Sequence, residues 1–336
     1  MIEEFRHDDH LSTFAGLPVF EFTLPAPGQE PADVPADVEN WAWRIALTYA
    51  VEAEFAELIE AFLGVVDGGR VRALILGYWV TDDMERDSAE VFEPLIERAE
   101  RFPALEALFV GDMISQEIEV SWIKQSDPGP LLAAFPGLRT FGLRGTTDLS
   151  MGPLKHAALE ELVMQGGGLP PEVVRAVGAS ELPALAELQL YLGSTWYSGG
   201  ATAEDLAPIL HGATSFPRLR HLGLRDADNQ DDIAEAVAQA PIVAQLEILD
   251  LSLGNLSDTG AAVLIAGQPL GHLKKLDLHH HYLTEEMMQR VWAAFPGIEV
   301  KLDEQEFLDE SRGGGWEAAD DPEAALRELR YIAVSE

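Results

Sequence analysis

Leu246-Glu247-Ile248-Leu249-Asp250-Leu251-Ser252-Leu253-Gly254-Asn255-Leu256-Ser257-Asp258-Thr259-Gly260-Ala261-Ala262-Val263-Leu264 holds one complete structural repeat. Leu249 and Leu251 alternate as one face of a short buried strand does, with Leu246 just ahead of them. A turn follows, and then apolar residues recur at helical spacing. The same Leu-x-x-Leu-x-Leu phrase returns along most of the chain. It reads Val71-Leu74-Leu76, Leu105-Leu108-Val110, Leu138-Phe141-Leu143, Leu159-Leu162-Met164, Leu185-Leu188-Leu190, Leu219-Leu222-Leu224 and Leu273-Leu276-Leu278, with a weaker copy at Val300-x-Leu302. Start-to-start spacings over the eight full copies are 34, 33, 21, 26, 34, 27 and 27 residues. A unit of this size cannot bury its apolar face alone, so successive copies must stack.

The fold class expected is therefore α/β: a leucine-rich-repeat solenoid with parallel strands on a concave face, helices on the convex face, and a cap at each end. Residues 71–302 form the solenoid. In residues 1–70, Leu17-Pro18-Val19-Phe20-Glu21-Phe22 reads as a strand, and the residues from Pro25 to Asp37 read as a loop. Trp41, Trp43, Ile45 and Leu47 alternate on one strand face. Phe55, Leu58, Ile59, Phe62 and Leu63 then recur at helical spacing, with Gly64 as the stop. This strand and helix suit an N-terminal cap that shields the leucine core. Residues 303–336 read as a C-terminal cap, with a hinge at Gly313-Gly314-Gly315, a helix starting at Asp321-Pro322, and a closing strand at Tyr331-Ile332-Ala333-Val334.

Composition narrows the function. Asp and Glu number 58 against 22 Lys and Arg, a net charge of −36 over 336 residues. Such a surface repels phosphate backbones, so nucleic acid is not an expected partner, whereas a basic peptide or protein is. Solubility alone also accounts for an acidic surface. No apolar run reaches the roughly 18 residues of a membrane span. The acidic start, Met1-Ile2-Glu3-Glu4-Phe5, lacks the basic and apolar regions of a signal peptide, so a cytoplasmic location is expected. With no cysteine, disulfides and thiolate zinc sites are ruled out.

Side chains between and just after the inward leucines line the expected concave face. The middle positions run Ile75, Phe109, Gly142, Val163, Gln189, Gly223, Asp250, Asp277 and Lys301; the following ones include Arg144, Tyr191, Arg225, Ser252 and His279. Phe109, Val163 and Tyr191 make a candidate apolar stripe with Arg144 and Arg225 beside it. An exposed stripe marks a partner site, unless a cap covers it. Asp250, Asp277 and His279 continue the face as a polar half. Two long repeats add loops: residues 111–130 carry Trp122, and residues 191–205 carry Trp196 and Tyr197. Trp122 reads equally as a core plug. Trp196 and Tyr197, set among Ser and Gly, read as a loop tip of the aromatic type enriched in binding hot spots.

His279-His280-His281 invites a metal reading. Adjacent strand residues point to opposite faces, however, so three successive rings do not converge on one ion. His281 holds the turn position usually taken by Asn in such repeats, where its ring bonds neighbouring backbone. His7-Asp8-Asp9-His10 is weaker still, and neither a metal nor a cofactor is expected. No P-loop, nucleophile elbow or His-Glu-x-x-His helix is present. Gly166-Gly167-Gly168 precedes Leu169-Pro170-Pro171 rather than a phosphate-binding Lys, and reads as a turn into a helix that starts at the prolines.

Beyond the leucines, Gly16-Leu17-Pro18-Val19-Phe20, Ser121-Trp122-Ile123, Gly166-Gly167-Gly168-Leu169-Pro170, Trp196-Tyr197-Ser198-Gly199-Gly200-Ala201-Thr202 and Tyr331-Ile332-Ala333-Val334-Ser335-Glu336 together resemble a family of bacterial cytoplasmic leucine-rich-repeat proteins. The repeats themselves resemble the ribonuclease-inhibitor-like class. The likeness spans nearly the whole chain and implies an accessory role beside a peptide- or metabolite-modifying pathway, with no catalytic residue to carry across. Two functions are thus in view. One is a non-enzymatic scaffold that binds a protein or peptide; the other is a small-molecule, anion or metal-binding protein with a catalytic activity that no motif announces, near Arg144, His221, Arg225 and His279.

Overall fold

A computed structural model describes residues 2, 8–24, 33–48, 53–80, 85–308 and 329–335. The chain divides into two compact units: Met1–Gln165 with Ser180–Leu185, and Gly166–Ala179 with Ala186–Glu336.

In the first unit, β1 (Thr13–Phe14) and β2 (Leu17–Phe22) form an antiparallel hairpin. From β2 a parallel ladder continues through β3 (Ala42–Ile45), β4 (Ala73–Leu76), β5 (Ala107–Val110), β6 (Thr140–Arg144) and β7 (Glu161–Gln165). The register aligns Phe20, Trp43, Leu74, Leu108, Phe141 and Leu162. Two rungs of the repeat therefore lie inside the first 70 residues, with Phe20 and Trp43 standing where most later rungs carry leucine. Helices α1 (Phe55–Val65), α2 (Ala89–Glu97) and α3 (Gly129–Ala134) pack in sequence beside one another. The first buries its expected apolar face and runs one residue past Gly64. Its Phe62 ring lies 5.4 Å from Trp43 and 5.3 Å from Phe22. Burial of each such side chain contributes about 1.5–3 kcal/mol, offset by the entropy lost in ordering the chain.

In the second unit, α4 (Pro171–Gly178) begins at the prolines, as the sequence indicates. Strand and helix then alternate: β8 (Glu187–Gly193), α5 (Ala203–Leu210), β9 (His221–Ala227), α6 (Gln230–Val237), β10 (Ile248–Asp250), α7 (Asp258–Ala266), β11 (Lys275–Asp277), α8 (Glu285–Ala294) and β12 (Glu299–Lys301). All five strands pair in parallel, with Leu188, Leu222, Leu249, Leu276 and Val300 in register. The helices start at side-chain caps where the sequence supplies Thr202, Ser257 and Thr284. Strand, turn and helix repeated in this way make the fold a leucine-rich-repeat solenoid.

From β9 onward each rung carries a residue in the left-handed region, just inside the end of β9 and just past the ends of β10, β11 and β12. Asp226, Leu253, His280 and Glu304 have φ of 58°, 68°, 55° and 59°. A left-handed non-glycine residue costs about 1–2 kcal/mol. Bonds to the next rung offset that cost: Asp226 N donates to Ser252 O (2.8 Å), Leu253 N to His279 O (2.9 Å) and His280 N to Asp303 O (3.1 Å).

The C-terminal end departs from expectation. Residues 331–334 are not a closing strand. They form a strip, bent at Ala333, that lies along these left-handed residues, with Ala333 N donating to Leu253 O at 2.9 Å. Gly313-Gly314-Gly315 and the helix expected from Asp321 lie outside the described residues, as does the start of the loop expected from Pro25.

Candidate functional site

The outward strand face of the first unit is filled by the chain itself. Ile75, Phe109, Gly142 and Val163 do align across β4 to β7, as their repeat positions require. Phe109 and Val163 are buried, however, in a cluster with Ile2, Leu11, Phe14 and Ala42, flanked by Leu17 and Val19. Phe14 meets Phe109 edge-on at 6.0 Å. At Gly142 a methyl group would collide with the Phe109 ring and with Ile2, so the missing side chain admits both. Of the two readings of this stripe, exposed or covered by a cap, the covered one holds at Phe109 and Val163, where the N-terminal segment lies over them.

A buried ionic cluster clamps that segment down. Asp112 is fully buried, and each of its carboxylate oxygens accepts two partners. Leu11 N (3.1 Å) and Arg144 Nη1 (3.3 Å) reach Oδ1, while Arg44 Nε (2.8 Å) and His10 Nδ1 (3.3 Å) reach Oδ2. Burial by itself would raise the Asp112 pKa. The His10 bond and the two guanidiniums prevail and lower it to about 2. Arg44 also donates to Glu21 Oε1 at 3.1 Å. Arg144 donates to Met113 O at 3.1 Å and Gln165 Oε1 at 3.2 Å, with its guanidinium 5.3 Å from the Phe109 ring centre. Arg144, expected at a partner surface, is buried and serves this clamp instead.

The outward face of the second unit is a polar ladder, buried at Gln189, Tyr191, Arg225, Asp250, Asp277 and His279 and half-buried at Glu187, His221, Lys275 and Lys301. Tyr191 has no exposed surface. The Arg225 guanidinium lies 5.0 Å over its ring and donates to its hydroxyl at 3.0 Å. Arg225 also donates to Gln189 Oε1 (3.1 Å) and Ser252 Oγ (3.0 Å), and pairs with Asp250 (3.2 Å). One rung on, Asp277 lies 2.6 Å from His279 Nδ1 and 2.7 Å from Lys275. Burial opposes its ionisation, yet these two partners hold its pKa well below the usual carboxylate range. His221 and Glu187 pair at 3.2 Å. Arg225, Asp250, Asp277 and His279, expected to meet a partner, thus satisfy one another.

The three adjacent histidines diverge. His279 turns to Asp277, while the His280 ring faces Tyr331 at 6.2 Å. His281 Nδ1 accepts from Leu283 N (3.1 Å), so the proton sits on Nε2 and is donated to Leu302 O (3.2 Å). Burial holds the His281 pKa below normal, which preserves this neutral form. His156 makes the matching pair of bonds, to Leu159 N and Phe135 O, in the first unit. Among the described residues no group of three or more His, Asp or Glu side chains is placed to hold a metal; His7 lies outside them.

Each unit has an exposed aromatic side chain on a loop. Trp122 is 61% exposed, which excludes the core-plug reading. Trp196 is 90% exposed, and Tyr197 beside it is half-buried. Their loop is nonetheless fixed. Ser194 Oγ accepts from Trp196 N (3.1 Å), Tyr197 N donates to Ser194 O (3.0 Å), and Thr195 N donates to Asp228 Oδ2 (3.1 Å). Gly167 O accepts from Ser194 N at 2.8 Å, and a side chain at Gly168 would strike Tyr197 O. The glycine run read as a turn therefore also lets two backbones meet beneath this loop.

No protein-family model and no curated protein sequence matches the chain. Among solved structures it is similar to a Bacteroides fragilis protein, a structural-genomics target, at 31% identity and TM-score 0.70, covering 77% of this chain and 74% of that one. It also aligns with an internalin from Listeria monocytogenes at 12% identity and TM-score 0.35, covering 81% and 75%. Among the described residues no helix is long and apolar enough to cross a membrane.

Proposed function

The chain belongs to the same family as the Bacteroides fragilis protein, and from that premise we propose a non-enzymatic scaffold that binds a protein or peptide through the Trp196–Tyr197 edge. The observation that carries this reading is an indole 90% exposed on a loop whose backbone amides donate to Gly167 O, Ser194 O, Ser194 Oγ and Asp228 Oδ2. A large aromatic side chain presented on a fixed backbone binds with little loss of conformational entropy. The net charge of −36 favours a basic partner, whose cation would stack on the indole face. Asp250 and Asp277 lie buried in ion pairs, so the attraction acts through the exposed carboxylates as a long-range field.

The test is affinity capture from the protein's own host with wild-type bait and with bait carrying Trp196→Ala and Tyr197→Ala. A partner held by the wild type should bind the double variant at least tenfold more weakly, and raising salt from about 50 to 500 mM should weaken the wild-type complex. Equal affinity for both baits would refute the site. Salt-insensitive binding would refute the basic partner.

A further inference from the structure

The C-terminal strip in the second unit is held as a bound peptide would be. Ile332 and Val334 are buried, and Ala333 between them is half-buried. Its backbone is read at three successive rungs. Val334 N donates to Asp226 Oδ1 (2.9 Å), Ala333 N to Leu253 O (2.9 Å), and Tyr331 N to the Tyr282 hydroxyl (3.0 Å). That hydroxyl donates in turn to Tyr331 O at 3.2 Å. Asp226, Leu253 and His280 are the left-handed residues of consecutive repeats. The strip thus crosses the repeats, running opposite to their order, along a groove made by their turns. Ahead of it, Arg330 lies 3.6 Å from Asp231 and 5.7 Å over the Tyr282 ring. The Tyr331 hydroxyl donates to Glu306 at 3.4 Å. At the far end a methyl group on Gly167 would stand 2.8 Å from Ser335 O, so glycine admits the strip there.

Backbone bonds that accept any sequence, two apolar sites at alternate residues, and an acidic group, Asp231, beside the leading basic residue are the parts of a peptide-binding site. We propose that the turn-edge groove of the second unit is a binding site for a partner peptide of the pattern basic, aromatic, aliphatic, small, aliphatic, and that the chain's own Arg330-Tyr331-Ile332-Ala333-Val334 fills it as a resident competitor. A tethered competitor acts at an effective concentration in the millimolar range, so only a ligand that binds more tightly or is locally concentrated displaces it. This site deepens the peptide-binding reading and does not use the Trp196 side chain.

The probe is a fluorescein-labelled synthetic peptide of residues 329–336, followed by fluorescence anisotropy with the full-length chain. Ile332→Asp with Val334→Asp in the protein should vacate the groove. That variant is expected to bind the peptide at least tenfold more tightly than the wild type does. A peptide carrying the same two aspartates should not bind. Trp196→Ala added to the vacated variant should leave the affinity unchanged, which separates this site from the aromatic loop. No binding to a vacated variant with wild-type circular dichroism overturns the proposal, as does equal binding to variant and wild type. A dimer in which each chain's strip fills the other's groove overturns it as well, since the groove would then be a self-association contact. Should the double variant not fold, excess peptide on wild-type protein is the second measurement. Hydrogen exchange of amides 331–334 should accelerate at least tenfold, and unchanged exchange overturns the proposal.

Discussion

Asp112→Ala is expected to release the N-terminal segment and destabilise the first unit by about 3–5 kcal/mol, the cost of leaving buried charges without their partner. Two guanidiniums, Arg44 and Arg144, converge on this carboxylate with almost no exposure. Removing it leaves both cations buried and strips Leu11 N of its acceptor. Thermal melts should show an earlier transition, and limited proteolysis should cut near residues 8–14 at a temperature where the wild type resists. Asp112→Asn keeps some of the hydrogen-bonding shape but loses the charge, so it should fall between. A variant that melts with the wild type would show that the cluster does not hold the segment. The pH dependence has a definite sign. The Asp112 pKa is lowered, from 3.8 to about 2, so its stabilisation is complete above the ordinary carboxylate range. It is lost as pH falls from about 4 towards 2.

Asp226 is expected to behave in the opposite sense. It is fully buried, and burial raises its pKa well above the carboxylate norm. The Val334 and Ala333 amides and Arg225 pull it back only in part, and Asp228 pushes it further up. The stability it contributes is therefore present below the unfolded value near 3.8 and is lost as pH rises through the elevated folded value. Asp226→Asn keeps an acceptor for Val334 N, tolerates the left-handed backbone, and never ionises. Its melting temperature should exceed that of the wild type by several degrees at pH 8, for about 1–3 kcal/mol of relieved burial. The two curves should converge towards pH 4. A constant offset across that range would mean that Asp226 does not titrate in its buried site.

The repeat register was legible because a leucine phrase leaves a period that survives variation elsewhere. Every outward position from Ile75 to Val163, and from Gln189 to Lys301, falls in line across its ladder as the phrase requires. Two rungs escaped because no leucine marks their strand positions: Phe20 and Phe22 hold them in β2, Trp43 and Ile45 in β3. Which of the two readings of the outward faces holds, open or covered, was not legible. It depends on Ile2, Leu11 and Phe14, which share no period, and on Arg44 meeting Asp112 across 68 residues. Periodicity reports which face of a strand a residue occupies and is silent on what lies over that face. The exposed Trp196 loop was readable from its composition. The groove beneath the C-terminal strip was not, since its contacts come from turns 27 residues apart in sequence.

Hydrogen exchange of the wild-type protein at Leu11 tests most directly whether the strand face of the first unit is closed by its own chain. The Leu11 amide, bonded to the buried Asp112 carboxylate, should exchange orders of magnitude more slowly than an unstructured peptide and keep pace with the amides of β5. Exchange at the unstructured rate would contradict the account, because Phe109 and Val163 would then lie open to a partner.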